Sequence, residues 1–220
     1  MGMAFLLSPL ETRVLGCLLE KERITPENYP ISLHSLTAAC NQTTNRDPVT
    51  GYDEKTVEQG LDALREKKLA TMVRLAGSRV EKYRHNLLDF YNLERGEIAL
   101  LCVLMLRGRQ TPGELRARTD RMHPFSGTQE VEASLQKLME GGEPLVRILP
   151  QNPGQKERRY VQLLSGEPDV EESAPVAESS AGAMPQQKSR IDLLESEVSA
   201  LKSELAVFRE EFAKFRKQFE

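Results

Sequence analysis

The feature that most restricts this chain is an internal repeat. Residues Glu11 to Leu19 (ETRVLGCLL) superpose without a gap on Glu97 to Met105 (EIALLCVLM), and the same offset of 86 lays Thr25-Pro26 over Thr111-Pro112. Farther on, Val57-Glu58-x-x-Leu61-x-x-Leu64 matches Val131-Glu132-x-x-Leu135-x-x-Leu138 at an offset of 74, so the first copy carries 12 additional residues between the two matches. Arg79-x-x-x-Tyr83 finds its counterpart in Lys156-x-x-x-Tyr160. A self-similar chain forms the same supersecondary unit twice.

Each copy reads in one order. Leu10, Val14, Leu18 and Leu19, and again Ile98, Leu101 and Met105, recur at helical spacing, which predicts a first helix with one buried face. Threonine and proline end it and open a short second helix, about Leu33 to Cys40 and Gly113 to Thr119. A third follows, with the stripe Val57, Leu61, Leu64 or Val131, Leu135, Leu138. Strand-like segments come next: Leu69 to Leu75 and Val80 to Asn86 around Gly77-Ser78, then Leu145 to Leu149 and Arg158 to Leu163 around Pro150 to Gly154. The expected fold is mainly α with small β-hairpins (α+β): two tandem winged helix-turn-helix domains, residues 1–92 and 93–165. Fold alone does not fix function.

Residues 166–188 are rich in Glu, Ala, Ser and Pro and read as an acidic flexible linker. From 189 to 220 the seam Ile191, Leu194, Val198, Leu201, Leu205, Phe208, Phe212, Phe215 and Phe219 alternates spacings of three and four, a coiled-coil helix. With Ile191 at position a, the facing g–e′ pairs of a parallel dimer are Arg190 with Glu195, Glu197 with Lys202, Glu204 with Arg209 and Glu211 with Arg216, all opposite in sign. The expected partner is a second copy of the chain, with a helix folded back on its own domains as the alternative.

Several function classes find no support. The three cysteines, Cys17, Cys40 and Cys102, lack metal-ligand spacing, and His34, His85 and His123 stand apart from other ligands. Gly141-Gly142 follows the third helix of the second copy and reads as a helix cap, not a phosphate loop. No catalytic motif is present, so the expectation is a non-enzymatic protein without cofactor. The longest apolar run, Ile98 to Leu106, is too short to span a bilayer, and the N-terminus lacks secretory features, so a cytoplasmic location away from membranes is expected.

Two groups of residues are candidates for binding. Asn41, Gln42, Thr44, Asn45 and Arg46 lie in the extra segment of the first copy; such side chains hydrogen-bond base edges and equally well satisfy backbone groups, with Asn41 ending the second helix and Asn45 turning the chain before Pro48. The chain resembles the YceH-like bacterial family through Leu18-Leu19-Glu20-Lys21, Thr25-Pro26-Glu27-x-Tyr29-Pro30, Ala39-Cys40-Asn41-Gln42-x-Thr44-Asn45-Arg46-x-Pro48 and Gln110 to Arg116. That resemblance implies a tandem winged-helix fold and brings no established activity. The second group is basic: Arg107, Arg109, Arg116, Arg118 and Arg121, with Arg79, Lys82, Arg84, Lys156, Arg158 and Arg159 on the two wings, suited to phosphates or simply solvated.

The third helix, which would enter the major groove, argues against ordinary DNA reading. Its row Glu54, Glu58, Asp62, Glu66 puts four carboxylates on one face, and the equivalent helix begins with Glu130 and Glu132. Two readings follow: a regulator associated with duplex DNA, or an adaptor whose winged domains bind another protein, as do winged-helix partners of chromosome-organising complexes.

Overall fold

Ser8 stands before Pro9 with Glu11 three residues on, and this pattern opens helix α1 (Pro9–Ile24). The Glu11 N–H donates to the Ser8 hydroxyl while the Ser8 N–H donates to the Glu11 carboxylate. The same reciprocal cap, Thr111 with Glu114, starts α5 (Pro112–Thr119). At α4 (Arg95–Arg107), the Glu97 carboxylate accepts the Glu94 N–H at 2.8 Å. Asp53 caps α3 (Glu54–Glu66); the remaining helices are α2 (Leu33–Cys40) and α6 (Thr128–Met139). The computed structural model describes residues 6–74, 80–140, 142–150 and 157–166, all within the compact unit Met1–Ser173.

Three helices followed by an antiparallel hairpin occur twice, giving an α+β fold of six α-helices and two small sheets among the described residues. The hairpins are β2 (Ala70–Val73) with β3 (Lys82–His85), and β4 (Val146–Ile148) with β5 (Tyr160–Gln162). Both are shorter than the expected strand segments. The first sheet also holds β1 (Ile31–Ser32), in the order β1-β3-β2. Two residues carry no periodicity, and their partner β3 lies some fifty positions on, so this strand had no local signature. In the second copy the same role shrinks to a single bridge, where the Gln110 and Tyr160 backbones exchange hydrogen bonds at 3.1 and 2.8 Å. Helix α6 closes on Glu140 in extended conformation, in place of the expected glycine cap at Gly141-Gly142, of which Gly141 lies outside the described residues.

The core sits where α1 meets α4. Spacing predicted one buried face for each, yet burial is continuous from Glu11 to Glu20 and from Gly96 to Leu106, because each helix packs on its own copy and on the other. Leu15, Leu18, Leu19, Leu100, Leu101 and Leu104 are sealed from solvent, each worth about 1.5–3 kcal/mol by burial. The helices touch at Gly16, where a Cβ would fall 2.9 Å from Leu106 Cδ2, and the Cys102 thiol donates to the Gly16 carbonyl at 3.3 Å. Gly16 and Cys102 occupy equivalent positions in the repeat, 86 residues apart. All three cysteines are buried free thiols; burial pushes the Cys102 thiol well above its ordinary value.

Candidate functional site

The extra segment of the first copy is built around one guanidinium. Arg46 has five N–H donors, and all five are used: Nε to the Ala39 carbonyl, one terminal nitrogen to Glu20 Oε1 and the Asn45 carbonyl, the other to Glu20 Oε2 and Gln42 Oε1, at 2.6–3.0 Å. Its side chain has no exposed surface. Burial disfavours both charges, but the pair outweighs it: the Glu20 carboxyl lies below and the Arg46 guanidinium above the ordinary value. Nothing on Arg46 is left for a base edge or a phosphate.

Neighbouring polar groups serve the same framework. Asn41 caps α2, and its carboxamide donates to the Tyr52 carbonyl at 2.7 Å and accepts the Tyr52 N–H at 2.8 Å. Asn45 adopts a left-handed conformation (φ 60°), a position asparagine tolerates. Its Oδ1 accepts from Arg107 at 2.8 Å, and the Asp47 N–H donates to the Leu106 carbonyl at 2.9 Å. Arg13 of α1 donates to the Cys40 and Pro48 carbonyls. The segment therefore straps α1 to the end of α4. Thr44 is exposed.

This strap brings the two expected groups of binding residues together. Arg107, at the C-terminus of α4, is half-buried and close enough to Arg118 of α5 that burial first, and Arg118 second, lower its proton affinity. Glu114 offsets part of the charge: it lies 3.1 Å from Arg159 and 3.6 Å from Arg118. Arg159 also donates to the Arg109 carbonyl. Arg116 reaches the Phe125 and Ser126 carbonyls through long bonds of 3.5 and 3.4 Å. Arg84, Arg121 and Arg158 are exposed and make no hydrogen bond or ion pair among the described residues. Lys82 is half-buried in β3, opposite Ser32 and Val73. Arg79, Lys156, the linker beyond Gly166 and the coiled-coil seam lie outside the described residues.

The opposite chemistry occupies the third helix of the first copy. Glu54, Glu58, Asp62 and Glu66 are all exposed; Glu54 meets His34 at 2.8 Å and Asp62 meets Arg65 at 2.8 Å, whereas Glu58 and Glu66 have no such partner among the described residues. Between α2, α3 and the β2–β3 hairpin runs a groove of about 860 Å³, lined by Leu33, Glu54, Glu58, Val80, Glu81 and Tyr83, among others. In the second copy Glu130 turns back to accept the Ser126 N–H and hydroxyl, while Glu132 is exposed. No group of three His, Cys, Asp or Glu able to hold a metal occurs among the described residues, and no described helix is long and apolar enough to cross a membrane.

Sequence reasoning passed over Glu20, Glu81 and Tyr83. Glu20 had a signal, a carboxylate directly after the apolar run Leu18-Leu19; Tyr83 had another, its recurrence as Tyr160. Glu81 had none.

A family model described as "Protein of unknown function, DUF480" matches residues 7–155. The chain is similar to the UPF0502 protein of Citrifermentans bemidjiense, 51% identical over 183 residues, which cover 83% of this chain and 85% of that protein. It is similar to the UPF0502 protein of Pelobacter propionicus, 50% identical over 86% of this chain and 87% of that one, and to that of Opitutus terrae, 50% identical over 78% and 75%.

Proposed function

Because this chain belongs to the DUF480 family of uncharacterised proteins, no inherited activity guides its reading, and we propose from its own surfaces that it is a non-enzymatic, tandem winged-helix adaptor that binds other proteins. Three helices and a hairpin, used twice, support the winged-helix assignment. One observation carries the adaptor reading: the face of α3 beside the hairpin, where a DNA-reading winged helix would meet phosphates, exposes Glu54, Glu58, Asp62 and Glu66. Carboxylates there repel a polyanion and suit a protein partner. On this reading the adaptor is cytoplasmic and dimerises through the parallel coiled coil of residues 189–220.

A second reading, association with duplex DNA, is favoured by Arg84, Arg121 and Arg158, which are exposed and make no hydrogen bond or ion pair among the described residues. Fluorescence anisotropy with a labelled random-sequence duplex, between about 50 and 200 mM salt, separates the two. The adaptor reading expects weak binding throughout. Sub-micromolar binding that collapses with salt, and is lost in the Arg84→Ala/Arg121→Ala/Arg158→Ala variant, would overturn it.

A further inference from the structure

The groove between α2, α3 and the β2–β3 hairpin contains polar groups that the fold leaves unused. Tyr83 is only 6% exposed, yet it lines the groove and its hydroxyl makes no hydrogen bond among the described residues. Burial, then the carboxylates of Glu81 and Glu58, push its ionisation upward, so the hydroxyl stays protonated and its oxygen remains available to accept. Glu58 lines the same groove without an ion pair among the described residues, while Glu54 and Glu81 are engaged by His34 and Arg74. Apolar surface adjoins these groups: Leu33 is half-buried and Val80 is 57% exposed.

We propose that this groove receives a lysine or arginine side chain of a partner protein, with an apolar neighbour of that residue seated against Leu33 and Val80. The proposal rests on the adaptor reading and names the partner's chemistry. An ammonium or guanidinium group supplies donors for the Glu58 carboxylate and the Tyr83 oxygen at once, and charge-assisted bonds of this kind are the stronger ones. A phosphate or carboxylate ligand would face three carboxylates, Glu54, Glu58 and Glu81, against the one guanidinium of Arg74, already paired with Glu81, and the His34 imidazole. The apolar walls favour a peptide, whose branched apolar side chain covers them, over a free polyamine, which has only short methylene runs between its charged amines.

The test is an NMR titration of the full-length, isotope-labelled protein with three short acetylated peptides, one alternating Leu and Lys, one alternating Ser and Lys, one alternating Leu and Glu, and, separately, with spermidine and with a short random-sequence duplex DNA. The Leu–Lys peptide is expected to shift the amide signals of Glu58, Val80, Glu81 and Tyr83. Glu58→Lys should weaken its binding about tenfold or more, and Tyr83→Phe, which deletes only the hydroxyl, by a few-fold. Equal binding of the Ser–Lys peptide or of spermidine, an unchanged affinity in Glu58→Lys, or silence of these signals at about millimolar peptide overturns the proposal. If the peptide shifts signals on another surface, the groove assignment falls and the adaptor reading stands. If only duplex DNA shifts signals, both fall.

Discussion

Replacing Arg46 by Met tests whether the strap between α1 and α4 is held by its buried ion pair. The substitution keeps most of the apolar stem and removes five donors. Glu20, only 6% exposed, then keeps Lys21 at 3.3 Å as its remaining cationic neighbour, and the Ala39 carbonyl and Gln42 oxygen lose their donor. Breaking one side of a buried pair costs about 3–5 kcal/mol. Lys21 answers part of the Glu20 charge, which puts the expected loss near ~3 kcal/mol, a large share of the stability of a small folded unit. The pH dependence gives a second, sharper reading. In the parent protein the folded-state pKa of Glu20 is depressed, so its contribution is full above the unfolded value of about 4.3 and is lost as pH falls through the folded value. Without Arg46 the upward push of burial prevails, folding favours the protonated carboxyl, and the variant recovers relative stability as pH falls. The gap between parent and variant, measured by urea unfolding followed by circular dichroism, should therefore narrow from pH 7 to pH 4. A loss under about 1 kcal/mol at pH 7, or a gap that widens on acidification, would refute the reasoning.

Two further outcomes are expected, the first from the packing of α1 on α4 and the second from the heptad spacing of residues 189–220 in the sequence. Gly16→Ala places a methyl 2.9 Å from Leu106 Cδ2 and 3.3 Å from Met105 Cβ; the overpacking cost of about 1–3 kcal/mol should exceed the helix-propensity gain of about 1 kcal/mol, and calorimetry should show a lower Tm. Ending the chain after residue 188 should convert a dimer to a monomer in sedimentation, and dimerisation that survives the truncation would remove the coiled coil from the proposal.

Much of this architecture could be read from local pattern. The start of α5 was legible because its signal is local: Thr111-Pro112 opens the helix, and Glu114 lies within one turn of it. The hairpins were legible for the same reason, apart from their exact ends. What escaped was non-local. β1 is two residues long and exists through pairing with β3. Arg46 looks, in its polar setting, as ready for a base as for a buried partner; its role depends on Glu20, 26 positions away on α1. The groove of the first copy likewise joins Leu33, Glu58 and Tyr83 from three elements, so no single stretch announces it. The α3 carboxylate row, by contrast, was plain from spacing alone, and all four of its members are exposed.

The crossing of α1 and α4 has the form of a two-fold contact, in which a surface meets its own counterpart. Here Gly16 meets Cys102, its equivalent 86 residues on, inside one polypeptide. Two identical subunits joined this way must wear the same exterior, since one gene specifies both. A covalently fused pair escapes that constraint: each half mutates separately while the tether keeps them together. One half has set carboxylates along its third helix, and the other has gathered arginines around its second, a divergence of exteriors that an ordinary symmetric dimer has no means of reaching.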